Sequence, residues 1–92
     1  MTQEEEIMRG REAARLMGDP LMAAAFNDVE GAIIQGLRTV DVGAKDAQRD
    51  LIVTLQLLGN LKRIMHTHIQ TGELADLTKR ESVGKRILRR LA

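Results

Sequence analysis

The chain has 92 residues, 43% of them apolar and 29% charged, which is the balance of a globular domain rather than a disordered segment. Cysteine is absent, which excludes disulfides and thiolate metal sites, and no apolar run approaches the roughly 20 residues that a membrane span needs. The net charge of +1 hides an asymmetry: residues 79–92 hold six basic groups against Glu81, a local +5, while residues 1–78 hold eight basic and twelve acidic groups, a local −4.

Phe26 is the only aromatic residue, so Leu, Ile, Val, Met and Ala must fill the core. An aliphatic core in so short a chain makes a marginal monomer, and self-association or a partner is expected. The N-terminal stretch MTQEEEIMRG is acidic and lacks the basic start and apolar middle of a signal peptide, so an intracellular location is expected.

Thr2 and Glu5 have the spacing of a capping box, and Glu4, Glu5 and Glu6 suit the positive end of a helix dipole. The first predicted helix covers about 3–17, with Ile7, Ala13, Ala14, Leu16 and Met17 as its apolar surface and Gly18 as its stop. Asp19-Pro20 then opens the second, Asp19 as N-cap and Pro20 at the first helical position, where the missing N–H costs nothing. This second helix covers about 20–38. Met22, Phe26, Val29, Ile33, Leu37 and Val40 trace its core face, and Gly31 and Gly36 are expected to pack closely against a neighbour. A turn over 39–44, with Gly43 as breaker and Asp41 as cap, is short enough to make the second and third helices antiparallel neighbours.

The third helix, about 44–71, is the spine. Ala47, Leu51, Thr54, Leu58, Leu61, Met65 and His68 recur at alternating spacings of four and three, and Leu55, Leu57, Ile64 and Ile69 widen that seam to more than one side. Gly72 is predicted to end it. A short basic helix then follows Ser82, with Val83, Ile87, Leu88 and Leu91 on one side and Lys85, Arg86, Arg89 and Arg90 on another. The fold class is therefore all-α, a small helical bundle built on a helical hairpin, divided into a helical domain (1–78) and a basic C-terminal tail (79–92).

No catalytic pattern emerges. His66 and His68, two residues apart on a helix, diverge too far to share a metal, and Asp46 and Asp50 flank Arg49 at a helix start, which is dipole and ion-pair chemistry. A Walker loop, a dinucleotide-binding glycine turn and a nucleophile elbow are all missing, so no enzyme activity and no cofactor are expected. The partner-binding candidates are the basic residues Lys79, Arg80, Lys85, Arg86, Arg89 and Arg90. They suit an acidic protein surface, or the phosphates of a nucleic acid read without sequence preference, since no aromatic residue in the tail could stack on bases.

Arg11-Glu12-Ala13-Ala14-Arg15-Leu16-Met17, Asp19-Pro20-Leu21, Ala25-Phe26, Gln48-Arg49-Asp50-Leu51, the Leu58, Leu61, Ile64 series and His68-Ile69-Gln70-Thr71-Gly72-Glu73-Leu74-Ala75 together resemble a group of small helical proteins of tailed bacteriophages, encoded near head and packaging genes. The resemblance covers about Arg11 to Ala75 and implies a viral, non-catalytic role in the host cytoplasm or the virion. The function expected is that of an assembly or virion-associated interaction module, working on itself as a homo-oligomer and on a phage structural protein. Inhibition of a host polymerase or defence factor, or nonspecific nucleic-acid binding, are the alternatives. No membrane partner is expected.

Overall fold

The computed structural model describes residues 1–91, and all of its regular structure is helical: α1 (Gln3–Met17), α2 (Pro20–Thr39) and α3 (Lys45–Leu91). The chain forms two compact units. One joins residues 1–16 to residues 65–92, and the other comprises residues 17–64.

The helix starts follow the sequence signals. The Thr2 hydroxyl accepts from the Glu5 N–H at 3.1 Å, and the Asp19 carboxylate accepts from the N–H groups of Leu21 (2.8 Å) and Met22 (3.1 Å), with Pro20 in the first turn. The α2–α3 turn is closed differently from expectation. Asp41 contributes its main-chain carbonyl, which accepts from the Ala44 N–H at 3.0 Å and from the Gln48 side-chain amide at 2.8 Å. The same amide also donates to the Val42 carbonyl at 2.9 Å.

Gly72 does not end the third helix. α3 runs unbroken through it for 47 residues, so the expected separate C-terminal helix is the continuation of the spine, and Ser82 lies in its interior. No glycine among the described residues takes a positive φ, so neither Gly18 nor Gly72 adopts the left-handed stop. No proline follows Pro20, and a helix this long absorbs the penalty of about 1 kcal/mol for each interior glycine.

What Gly72 does is permit contact. In the first unit α1 lies antiparallel to α3, Glu4 level with Lys79 and Ala14 with Ile69, and the two backbones touch at Gly10 and Gly72. A Cβ on Gly10 would stand 2.8 Å from the Gly72 Cα and 2.8 Å from the His68 carbonyl oxygen. One on Gly72 would stand 2.9 Å from the Glu6 carbonyl oxygen. Ala13 and Ala75, three residues after each glycine, are buried beside the crossing with Ile7. Both helices carry the same Gly-x-x-Ala step, and it removes every side chain that would hold them apart.

In the second unit α2 lies antiparallel to the first half of α3. Gly36 meets Leu51, while Glu30 and Phe26 meet Lys62. The seam on α3 differs from the expected one. Ala47, Thr54 and Leu61 are exposed, and Leu51, Leu55, Leu58 and Lys62 are the half-buried residues. A lysine takes the last of these positions because α2 neutralises it: its Nζ donates to the Glu30 carboxylate at 3.0 Å and lies 5.7 Å from the centre of the Phe26 ring, while its methylenes pack. On α2, Ile33 is buried as expected, whereas Val29, placed on the same core face, is exposed. Gly36 is close-packed, a Cβ there standing 3.2 Å from Leu51, but Gly31 has nothing within 4 Å.

The glycines therefore divide into two classes. Gly10→Ala or Gly72→Ala should destabilise the fold by about 1–3 kcal/mol, the overpacking cost exceeding the gain in helix propensity. Gly31→Ala and Gly59→Ala, each in open space, should stabilise by about 0.5–1 kcal/mol. Urea titrations followed by circular dichroism would check the order of the four midpoints. In the same assay Asp19→Ala should lose about 0.5–2 kcal/mol through its cap.

Candidate interaction surface

All six predicted partner-binding residues lie on α3 and all are exposed. Helical geometry gathers five of them: Lys79, Lys85, Arg86, Arg89 and Arg90 fall within an arc of about 140° at 3.6 residues per turn. Arg80 is not part of that arc. It lies on the other side of the helix, ion-paired with Asp76 at 3.2 Å.

The side away from the five cations is mostly aliphatic, with the Arg80–Asp76 pair among its apolar residues. Leu77, Val83, Ile87, Leu88 and Leu91 share it, and each is exposed, Leu91 by 78%. From Lys79 to Leu91 only Gly84 has any appreciable cover. Glu4, Met8 and Arg11 of α1 border the α3 surface no further along than Lys79. The last three turns of α3 thus present a cationic face and an aliphatic face, neither covered by another helix of the first unit.

The residues weighed for chemistry do not converge. His66 is exposed and His68 half-buried on divergent faces of α3, and among the described residues no three His, Cys, Asp or Glu side chains are placed to hold a metal ion. Asp46, Arg49 and Asp50 border a shallow depression together with Val53 and Thr54, all from two turns of one helix, so nothing faces them across it. The Glu12 carboxyl is held below its ordinary range by hydrogen bonding to the Arg15 guanidinium, an exposed pair within one turn of α1. Among the described residues no helix is long and apolar enough to cross a membrane.

A further apolar surface lies in the second unit, where the widened seam of α3 was expected to have neighbours on more than one side. Leu21, Val29, Leu57, Leu61 and Ile64 are all exposed although their spacing suits a core. The available signal was an excess of apolar positions: the widened seam of α3 and the nearly charge-free α2 hold more of them than one helix–helix contact can cover. No protein-family model matches the chain, and no curated protein or solved structure is significantly similar to it.

Proposed function

We propose that this protein is a small non-catalytic interaction module of a tailed bacteriophage, acting in particle assembly or as a virion-associated component. The observation that carries the reading is the C-terminal end of α3, where a face of five cations backs onto a face of exposed aliphatic side chains. An amphipathic helix of this kind binds by laying Ile87, Leu88 and Leu91 into a groove while the cations pair with acidic groups at the rim. The first use supplies affinity, and the second supplies orientation and a fast encounter. The resemblance of Arg11–Ala75 to phage proteins points to a coat or portal surface as the partner, with residues 79–92 as the docking tail and the body of the chain as its support.

The cationic arc also favours a second reading, in which the same five residues contact nucleic-acid phosphates. The two readings differ in the use of the leucine face: a groove in a protein needs it, and a phosphate backbone does not.

Deletion of residues 79–92 should leave a helical protein with a cooperative melt, because Gly72, Ala75 and Asp76 remain to pair with α1. Binding to purified particles should be lost. Replacing Arg86, Arg89 and Arg90 by Glu should weaken that binding and abolish its salt dependence, since exposed charges are screened over about 8–10 Å at physiological salt. Ile87→Ser with Leu88→Ser should weaken it at every salt concentration. Co-sedimentation with particles, capture from host extract and binding to duplex DNA would be measured side by side. Particle binding that survives the deletion would overturn the proposal. Charge-dependent binding to DNA alone, indifferent to the serine variant, would establish the phosphate reading in its place.

A further inference from the structure

α2 is apolar nearly all round. Its 20 residues include three charged ones, Asp28, Glu30 and Arg38, yet only Ile33 is buried. A helix of that composition belongs in an interior, covered on more than one side. Leu21, Ala25, Val29 and Ala32 recur at spacings of four and three and form a second stripe, separate from the Phe26–Ile33 seam that packs on α3. Leu21 is 80% exposed and Val29 49%.

α3 carries a matching stripe. Leu57, Leu61 and Ile64 recur at four and three, and they are 62%, 48% and 54% exposed. On each helix the stripe precedes the packing seam by about 100–130° of rotation. Because the two helices are antiparallel, displacements in the same rotational sense bring both stripes to the same side of the pair. The Glu30–Lys62 ion pair lies at the seam, away from both stripes.

We infer that this face is the dimer interface, and that its occupant is a second copy of the chain. The face is self-complementary in size: the α2 stripe is rich in alanine, and the α3 stripe is made of large aliphatic residues. A two-fold axis running along the helix pair sets the small stripe of one copy over the large stripe of the other, as interdigitating layers require, and builds a four-helix bundle. Between Leu57 and Ile64 on α3, and among Leu21, Ala25, Val29 and Ala32 on α2, the stripes contain no charged residue; Asp50 continues the α3 line one heptad earlier, at the end of the face. The face offers seven exposed apolar side chains, five of them large, toward the roughly 800 Å² that a standard interface takes from each partner.

The contacts of Gly36 with Leu51 and of Phe26 with Lys62 set the register within a copy, and they place Ala32 level with Leu57. In the dimer, Ala32 of one copy therefore lies over Leu57 of the other.

The full-length protein should sediment as a dimer at micromolar concentration. Ala25→Glu and Ala32→Glu should each raise the dimer dissociation constant by about 100-fold or more, by placing a carboxylate in the apolar interface, with helicity retained. Asn27→Glu, on an exposed position of α2 outside the stripe, should leave it unchanged. The native chain has no cysteine, so an equimolar mixture of Ala32→Cys and Leu57→Cys chains should form the mixed disulfide on oxidation, and one of Asn27→Cys and Leu57→Cys chains should not. The cross-link uses no charged substitution, so it decides even where a glutamate variant unfolds. A monomer at tens of micromolar, a dimer indifferent to both glutamates, or failure of the Ala32–Leu57 cross-link would overturn the inference. Particle binding plays no part in these measurements, so their failure leaves the proposed function to its own test.

Discussion

A helix with one neighbour buries one stripe of its surface, and both units of this protein are helix pairs. Most features of the structure follow from that constraint. Among the described residues no side chain is fully buried, and the buried apolar residues are few: Ile7, Ala13, Ile33 and Ala75. Among the described residues sixteen large apolar side chains are correspondingly exposed. Packing gives each pair its stability with little help from depth, so close approach and paired charge take over the role that a thick core has in larger domains.

The two pairs solve this in different ways. α1 and α3 dispense with side chains at Gly10 and Gly72, so that backbone atoms themselves make the van der Waals contact, with Ala13 and Ala75 closing the space alongside. Such a contact has no slack, because the nearest atoms are main chain and cannot rotate away. α2 and α3 keep their side chains and place Lys62 in the seam, where the Glu30 carboxylate and the Phe26 ring receive its charge. Half-exposed, that pair contributes modestly to stability. Its larger effect is on register and face, since rotating α3 would move Lys62 away from both partners.

Two kinds of uncovered face remain: a charge-free aliphatic one on the α2–α3 pair, and an amphipathic cationic one at the end of α3. They suit different occupants. A charge-free face of alternating small and large residues fits its own copy, whereas a face with five cations repels its own copy and calls for an acidic surface or phosphates.

Much of the local structure was legible in the sequence because its causes are local. Thr2, Asp19-Pro20 and the charge-rich α3 specify helix starts and helical content through caps and propensities that act over three or four residues. The basic arc of Lys79, Lys85, Arg86, Arg89 and Arg90 follows from helical spacing alone. Gly72 was misread for the same reason: a glycine after Gln70-Thr71 at the end of an apolar seam has the local form of a helix stop, and only Gly10, sixty-two residues earlier, gives it another use. The seam of α3 was likewise undetermined, since Leu58 and Leu61 each belong to a good apolar stripe and the periodicity favours neither. Tertiary pairing decided between them by bringing Glu30 and Phe26 to Lys62, and so fixed which stripe is covered and which is left exposed.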